Sequence, residues 1–214
     1  MMSEFASRFK TSCIGGLLFV GMYLLLPSLF ICLLLSIACF MVGVEWRHVR
    51  GTAYSLPEAL VYPGVPLALL VLHVAQWATA IPWYGLYPFI AAWCVDVAGY
   101  MVGSRWGTHR CWPSISPGKT WEGVGGGMVM SIVLHLGIAL SGQTLYPSAL
   151  VLFGAPLVAC AAIVGDLCVS WFKRQQGIKD TGTLLPGHGG LLDRADSVLA
   201  VIVVVKLAEL LFMH

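Results

Sequence analysis

The chain has 214 residues, of which 58% are hydrophobic and 10% charged, with a formal net charge of +2 and a mean hydropathy of +0.85. Soluble domains carry roughly 25% charged residues, so the composition excludes one and points to a membrane protein, while the small charge gives no reason to expect nucleic acid as a partner. A spanning helix takes about 20 apolar residues, which leaves room for one integral bundle over residues 1–214 and none for a separate soluble domain.

Arg8 and Lys10 precede an apolar run in the manner of a signal peptide, but the run continues to Val44 without a cleavage-like site, so a retained helix pair is expected. No residue from Cys13 to Val44 is charged, and 32 residues exceed one span, which places a tight turn at Pro27 and the end of the second helix at Glu45-Trp46-Arg47. A polar connector leads to apolar segments at 60–77 and 83–102, joined by Thr79-Ala80-Ile81-Pro82. Then come a basic loop at 104–120, apolar segments at 121–140 and 148–172, a polar glycine-rich stretch and a last helix at 197–213. The expectation is an all-α polytopic bundle of about seven transmembrane helices, with N-terminal helices over 1–80 and a second part over 83–214 that carries the loops 104–120 and 173–196. The seven cysteines include no CxxC pair and lie mostly in apolar runs, so they read as small buried hydrophobes rather than as a disulfide framework or a zinc site.

If the chain crosses seven times, its connections alternate between two sides. One side receives Arg8, Lys10, Arg47, Arg50, Arg105, Arg110, Lys119, Lys173, Arg174, Lys179 and Arg194, which is 11 of the 12 Lys and Arg residues. The other side receives none, and Lys206 lies within the last helix, three residues before Glu209, as an i,i+3 pair. Cytoplasmic loops are the ones enriched in Lys and Arg, so this asymmetry predicts a cytoplasmic N-terminus and cytoplasmic long loops.

Two acids, Asp96 and Asp166, fall inside predicted helices, where a carboxylate costs about 2.5–3.5 kcal/mol even on the mildest scale and is usually retained for a site. Asp96 lies nine residues before Arg105 and Asp166 seven before Lys173, which puts both about 10–14 Å from the cytoplasmic boundary at ~1.5 Å per residue. At that face "SISPGKTWEG" (114–123) supplies Ser116, Lys119 and Thr120 ahead of a helix start, an arrangement suited to anions. It is not a P-loop, because Pro113 stands where the first glycine is required. "KDTGTLLPGHGGLLDRADS" (179–197), just after Lys173 and Arg174, crowds Lys179, Asp180, His188, Asp193, Arg194 and Asp196 among glycines. Lys and Arg neutralise phosphate oxygens, and aspartates hold a hard cation, so a polyphosphate with its metal ion accounts for both halves of the stretch.

Ser170 to Asp196, "SWFKRQQGIKDTGTLLPGHGGLLDRAD", closely resembles the signature of the phosphatidate cytidylyltransferases, which pairs S-x-x-K-R and K-D with P-G-H-G-G and D-R-x-D. Glu45-Trp46, "WCVDVAGYMVG" from 93, "SPGKTWEG" from 116 and Gly165-Asp166-Leu167 resemble further pieces of the same family in the same order. The resemblance implies that the phosphate of phosphatidate attacks the α-phosphorus of CTP, giving CDP-diacylglycerol and pyrophosphate, in an integral protein of the bacterial cytoplasmic membrane. It implies Asp166 and Asp193 as ligands of Mg2+, with Asp96 and Asp196 available to a second cation. Lys173, Arg174, Lys179 and Arg194 would neutralise the phosphates and His188 would donate to pyrophosphate. Ser116, Lys119, Thr120, Asp180, Gly189 and Gly190 would complete the substrate site. Partners are then CTP, phosphatidate and the bilayer, with a homodimer left open. One departure is Val169, which occupies a position where the family usually has Glu. The alternatives are a transporter or channel lined by the intramembrane acids, a binding or scaffolding protein derived from the family that has lost activity, and a cytidylyltransferase for another lipid phosphate.

Overall fold

Proline marks the start of three helices, because a residue without an N–H loses nothing in a first turn. The computed structural model describes residues 16–142, 147–182 and 189–212. Among these, seven helices follow in order: α1 (Gly16–Leu25), α2 (Pro27–Ala53), α3 (Leu56–Trp77), α4 (Pro82–Trp106), α5 (Trp121–Leu140), α6 (Ser148–Gln175) and α7 (Leu192–Phe212). A short antiparallel hairpin of β1 (Arg110–Trp112) and β2 (Ser116–Thr120) joins α4 to α5. Pro27, Pro57 and Pro82 stand in the first turns of α2, α3 and α4. Among the described residues five helices, α2 to α6, are long and apolar enough to cross a membrane. The molecule is a polytopic membrane helix bundle.

Several boundaries differ from those expected. The helix predicted to end at Arg47 runs on to Ala53 through a π-helical turn at Met41–Glu45. The helix predicted from residue 60 starts at Leu56, because Ser55 accepts the N–H of Glu58 and caps it. The 104–120 stretch is a hairpin rather than an open loop, with Arg110 paired to Thr120 and Trp112 to Ser116. The last helix begins at Leu192, not at residue 197, so Asp193, Arg194 and Asp196 stand on its first turns.

The bundle is closed by two apolar clusters. The larger joins Phe30 and Leu34 of α2 to Leu70, Val74 and Trp77 of α3, Phe89 and Val95 of α4, Val158 of α6 and Ile202 of α7. The smaller, around Trp46, Val49, Leu67, Val169, Leu192 and Leu199, holds α2, α3, α6 and α7 together. The outer surface is apolar as well: Leu17, Leu25, Leu140 and Phe153 are 74–79% exposed, as suits a protein solvated by hydrocarbon. This corrects the reading of the cysteines, since Cys32, Cys39, Cys160 and Cys168 lie on that surface rather than in the interior.

Polar contacts sort the two ends of the bundle. At one end Arg50 pairs with Glu58 at 2.8 Å and donates to Gln175 at 3.0 Å, while Arg174 Nε donates to the carbonyl of Ile115 at 3.1 Å. The α2–α3 junction, the hairpin and the last turn of α6 therefore meet there. At the other end Tyr23 donates to the Pro82 carbonyl at 2.7 Å. Glu209 there collects His73 at 3.0 Å, Trp77 at 3.1 Å and Lys206 at 2.6 Å. The Lys206–Glu209 pair read from the sequence is thus present, as part of a larger network.

Candidate active site

Close helix packing brings the site's acids together. The helices α4 and α5 cross at glycines, with a Cβ on Gly99 only 3.3 Å from the Gly123 carbonyl, the small-residue contact that lets backbones approach in membranes. Gly165, one residue before Asp166, lies against the backbone of Asp196, so α6 and α7 touch where each carries an aspartate. Between α4, β2, α5, α6 and α7 lies a cleft of about 420 Å³, within the range of small-molecule sites. Asp96, Asp166, Asp193, Asp196, Ser116, Lys119, Thr120 and Arg194 all line it.

Two lysines enter ion pairs with these acids. Lys119 meets Asp166 Oδ2 at 2.8 Å and reaches the Ile163 carbonyl at 3.4 Å, while Ser170 donates to Asp166 Oδ1 at 3.1 Å. Lys173 meets Asp193 Oδ1 at 2.7 Å. The other oxygen, Oδ2, accepts the Thr181 N–H at 2.8 Å, the Thr181 hydroxyl at 3.0 Å and the Gly190 N–H at 3.0 Å. Asp196 accepts the Ser197 N–H at 2.8 Å. Thr120 caps α5 by accepting the Gly123 N–H at 3.1 Å, so the residue at the cleft wall also fixes the helix behind it.

Other predicted residues lie elsewhere. Arg174 is tied to the Ile115 and Ile178 carbonyls and fastens the hairpin to the end of α6. Lys179 and Asp180 are exposed and stand outside the cleft lining. Gly189, at φ +81°, and Gly190 pack against Asp193, Thr181 and the Glu45 carboxylate. His188 falls outside the described residues. Val169, in the position where a carboxylate was expected, is fully buried beside Trp46 and Leu192.

Sequence reasoning placed Ser170 and Glu45 in the family's pattern without giving either a role, and passed over Thr181. Glu45 is the first acid after the long uncharged run, which was the available signal, and the structure leaves it 2% exposed. The donor set of the cleft is of the kind a hard divalent cation takes, with four carboxylates lining it beside the ammonium group of Lys119. Among the described residues, however, no three His, Cys, Asp or Glu side chains close around a single point.

Sequence comparison gives the arrangement a lineage. A phosphatidate cytidylyltransferase from Pseudomonas aeruginosa is 38% identical over 175 residues, covering 74% of this chain and 64% of that protein. Proteins of the same name from Haemophilus influenzae and Staphylococcus aureus are 40% and 42% identical over 130 and 120 residues, each covering 56% of this chain and 45% and 46% of their own. The chain thus spans about half to two thirds of the length of the relatives it matches. The model of the cytidylyltransferase family matches residues 18–212, which takes in nearly all of the helical bundle and every carboxylate of the cleft. The chain belongs to the cytidylyltransferase family.

Proposed function

We propose that the chain transfers CMP from CTP to phosphatidate, forming CDP-diacylglycerol and releasing pyrophosphate. The observation that carries this reading is the meeting of Asp96, Asp166, Asp193 and Asp196 with Lys119 and Arg194 in one cleft of a membrane bundle. It is supported by the relatives named above. An oxygen of the phosphatidate monoester forms a new bond to the α-phosphorus, and the bond from that phosphorus to the β-phosphate oxygen breaks. The monoester ionises a second time near pH 6 by analogy with phosphoserine, so a general base is not required. Transfer of this kind depends on positioning and charge neutralisation more than on covalent chemistry.

Lys119 and Arg194 neutralise phosphate oxygens in the cleft, and Ser116 donates to them from β2. Lys173, beside Asp193, adds charge at the start of α7. Asp166 and Asp193, with Asp96 and Asp196 beside them, would hold Mg2+, whose charge offsets that of the triphosphate. The bundle sits with its N-terminus and cleft at the cytoplasmic face of a bacterial cytoplasmic membrane, a reading supported by the side preference of 11 of the 12 Lys and Arg residues. CTP then arrives from water while phosphatidate moves in laterally with its chains in lipid.

The test is formation of CDP-diacylglycerol by the purified chain from CTP and phosphatidate with Mg2+. Product is expected with the metal and none after EDTA. Absence of product with Mg2+, or undiminished product in EDTA, would refute the proposal.

A further inference from the structure

A buried carboxylate sits where the packing of α2 calls for an apolar side chain. Phe30, Leu34, Met41 and Val49 face the interior along this helix, and Glu45 lies on the same stripe, 2% exposed. Left alone, a carboxylate there would be strongly unfavourable. Its partners belong to the start of α7: one oxygen accepts the N–H of Leu191 at 2.8 Å and the other that of Leu192 at 2.7 Å. These are donors of the kind that the beginning of a helix leaves without an internal acceptor. The backbones of Gly182 and Gly190 close on the same group, since a Cβ on either would stand 3.1 Å or 2.8 Å from Oε1. Asp193 grips this stretch of chain through the N–H groups of Thr181 and Gly190. The π-helical turn Met41–Glu45 ends on this residue, and such turns recur at functional positions.

We infer that Glu45 is a positioning residue for the cleft. With Asp193 it forms a two-carboxylate clamp that fixes the beginning of α7 and so holds Asp193, Arg194 and Asp196 in place. Glu45 is not part of the cleft lining and acts through α7 rather than on a ligand. The inference rests on the cation-binding role proposed for the cleft.

The test compares the full chain with Glu45→Gln, Glu45→Asp and Glu209→Gln, using two readouts that need no turnover. Hydrogen exchange at the amides of Leu191 and Leu192 reports on the clamp. Titration with Mn2+ followed by electron paramagnetic resonance reports on the cleft. Glu45→Gln turns one acceptor oxygen into an NH2 group that faces a backbone N–H, and exchange at the two amides is expected to quicken about tenfold. Mn2+ affinity should fall about tenfold, the scale found for residues that orient metal ligands. Glu45→Asp, which keeps both oxygens, should lie between that variant and the wild type. Glu209→Gln removes buried hydrogen bonds at the far end of the bundle; it should lower thermal stability and leave both readouts near wild type. Wild-type exchange or wild-type Mn2+ affinity in Glu45→Gln overturns the inference. If that variant does not accumulate as folded protein, the same two readings on Glu45→Asp decide. A wild-type chain that binds Mn2+ but forms no CDP-diacylglycerol refutes the function proposed above without touching the clamp.

Discussion

Both oxygens of Asp193 are engaged by the protein itself, one by Lys173 and the other by Thr181 and Gly190. The residue expected to hold a cation therefore also anchors the start of α7. Asp193→Asn keeps the shape and removes the charge, so turnover should be abolished. Thermal stability in detergent should drop by about 2 kcal/mol, the scale of lost hydrogen bonds to a charged group. Wild-type stability in that variant would show that the anchoring contacts matter little. That Asp166 and Asp193 meet at one cleft was legible in the sequence, because Asp166 lies close to the basic end of its helix and Asp193 follows in the charged stretch just after it. Their anchors were not legible: Thr181 and Gly190 donate from irregular backbone, and no periodicity announces such contacts. Val169 shows the opposite case, a departure from the family pattern that packing explains, since the side chain joins the Trp46 cluster.

Among the elements, the hairpin departs furthest from the expected all-helical course. Read from sequence, residues 104–120 are a basic loop; in the structure β2 runs into α5, and Thr120 forms the joint as N-cap. Thr120→Ala should lower stability by about 1 kcal/mol, the usual cost of losing such a cap, and Thr120→Ser should recover most of it. Thermal denaturation checks this, and an unchanged Thr120→Ala protein would exclude the capping role. Apolar run length located the helices well, including the break at Pro27, because hydrocarbon demands unbroken apolar segments. It located their ends poorly, because ends depend on single polar contacts that apolar run length does not record, from the neighbouring Ser55 at α3 to the distant Glu45 at α7.

For the molecule as a whole, the meeting of Arg50 and Arg174 at one end agrees with the side to which the order of Lys and Arg along the chain assigns them. The network at the end remote from the cleft was only partly readable from the sequence. Lys206 and Glu209 were seen as neighbours on one helix, while His73 and Trp77 reach the same carboxylate from α3, more than 130 residues away. Glu209→Gln should destabilise the bundle by about 2 kcal/mol while turnover stays close to wild type. A large loss of activity without a fall in melting temperature would tie this network to the chemistry.

The two N–H groups steadied by Glu45 lie 146 and 147 positions further along the chain. A truncated protein starting at α4 would consequently retain every cleft aspartate and yet lose the acceptor for its own final helix. Severing the polypeptide at the turn between α3 and α4 should give two halves that are silent when expressed singly and regain function only when both are made together in the same membrane.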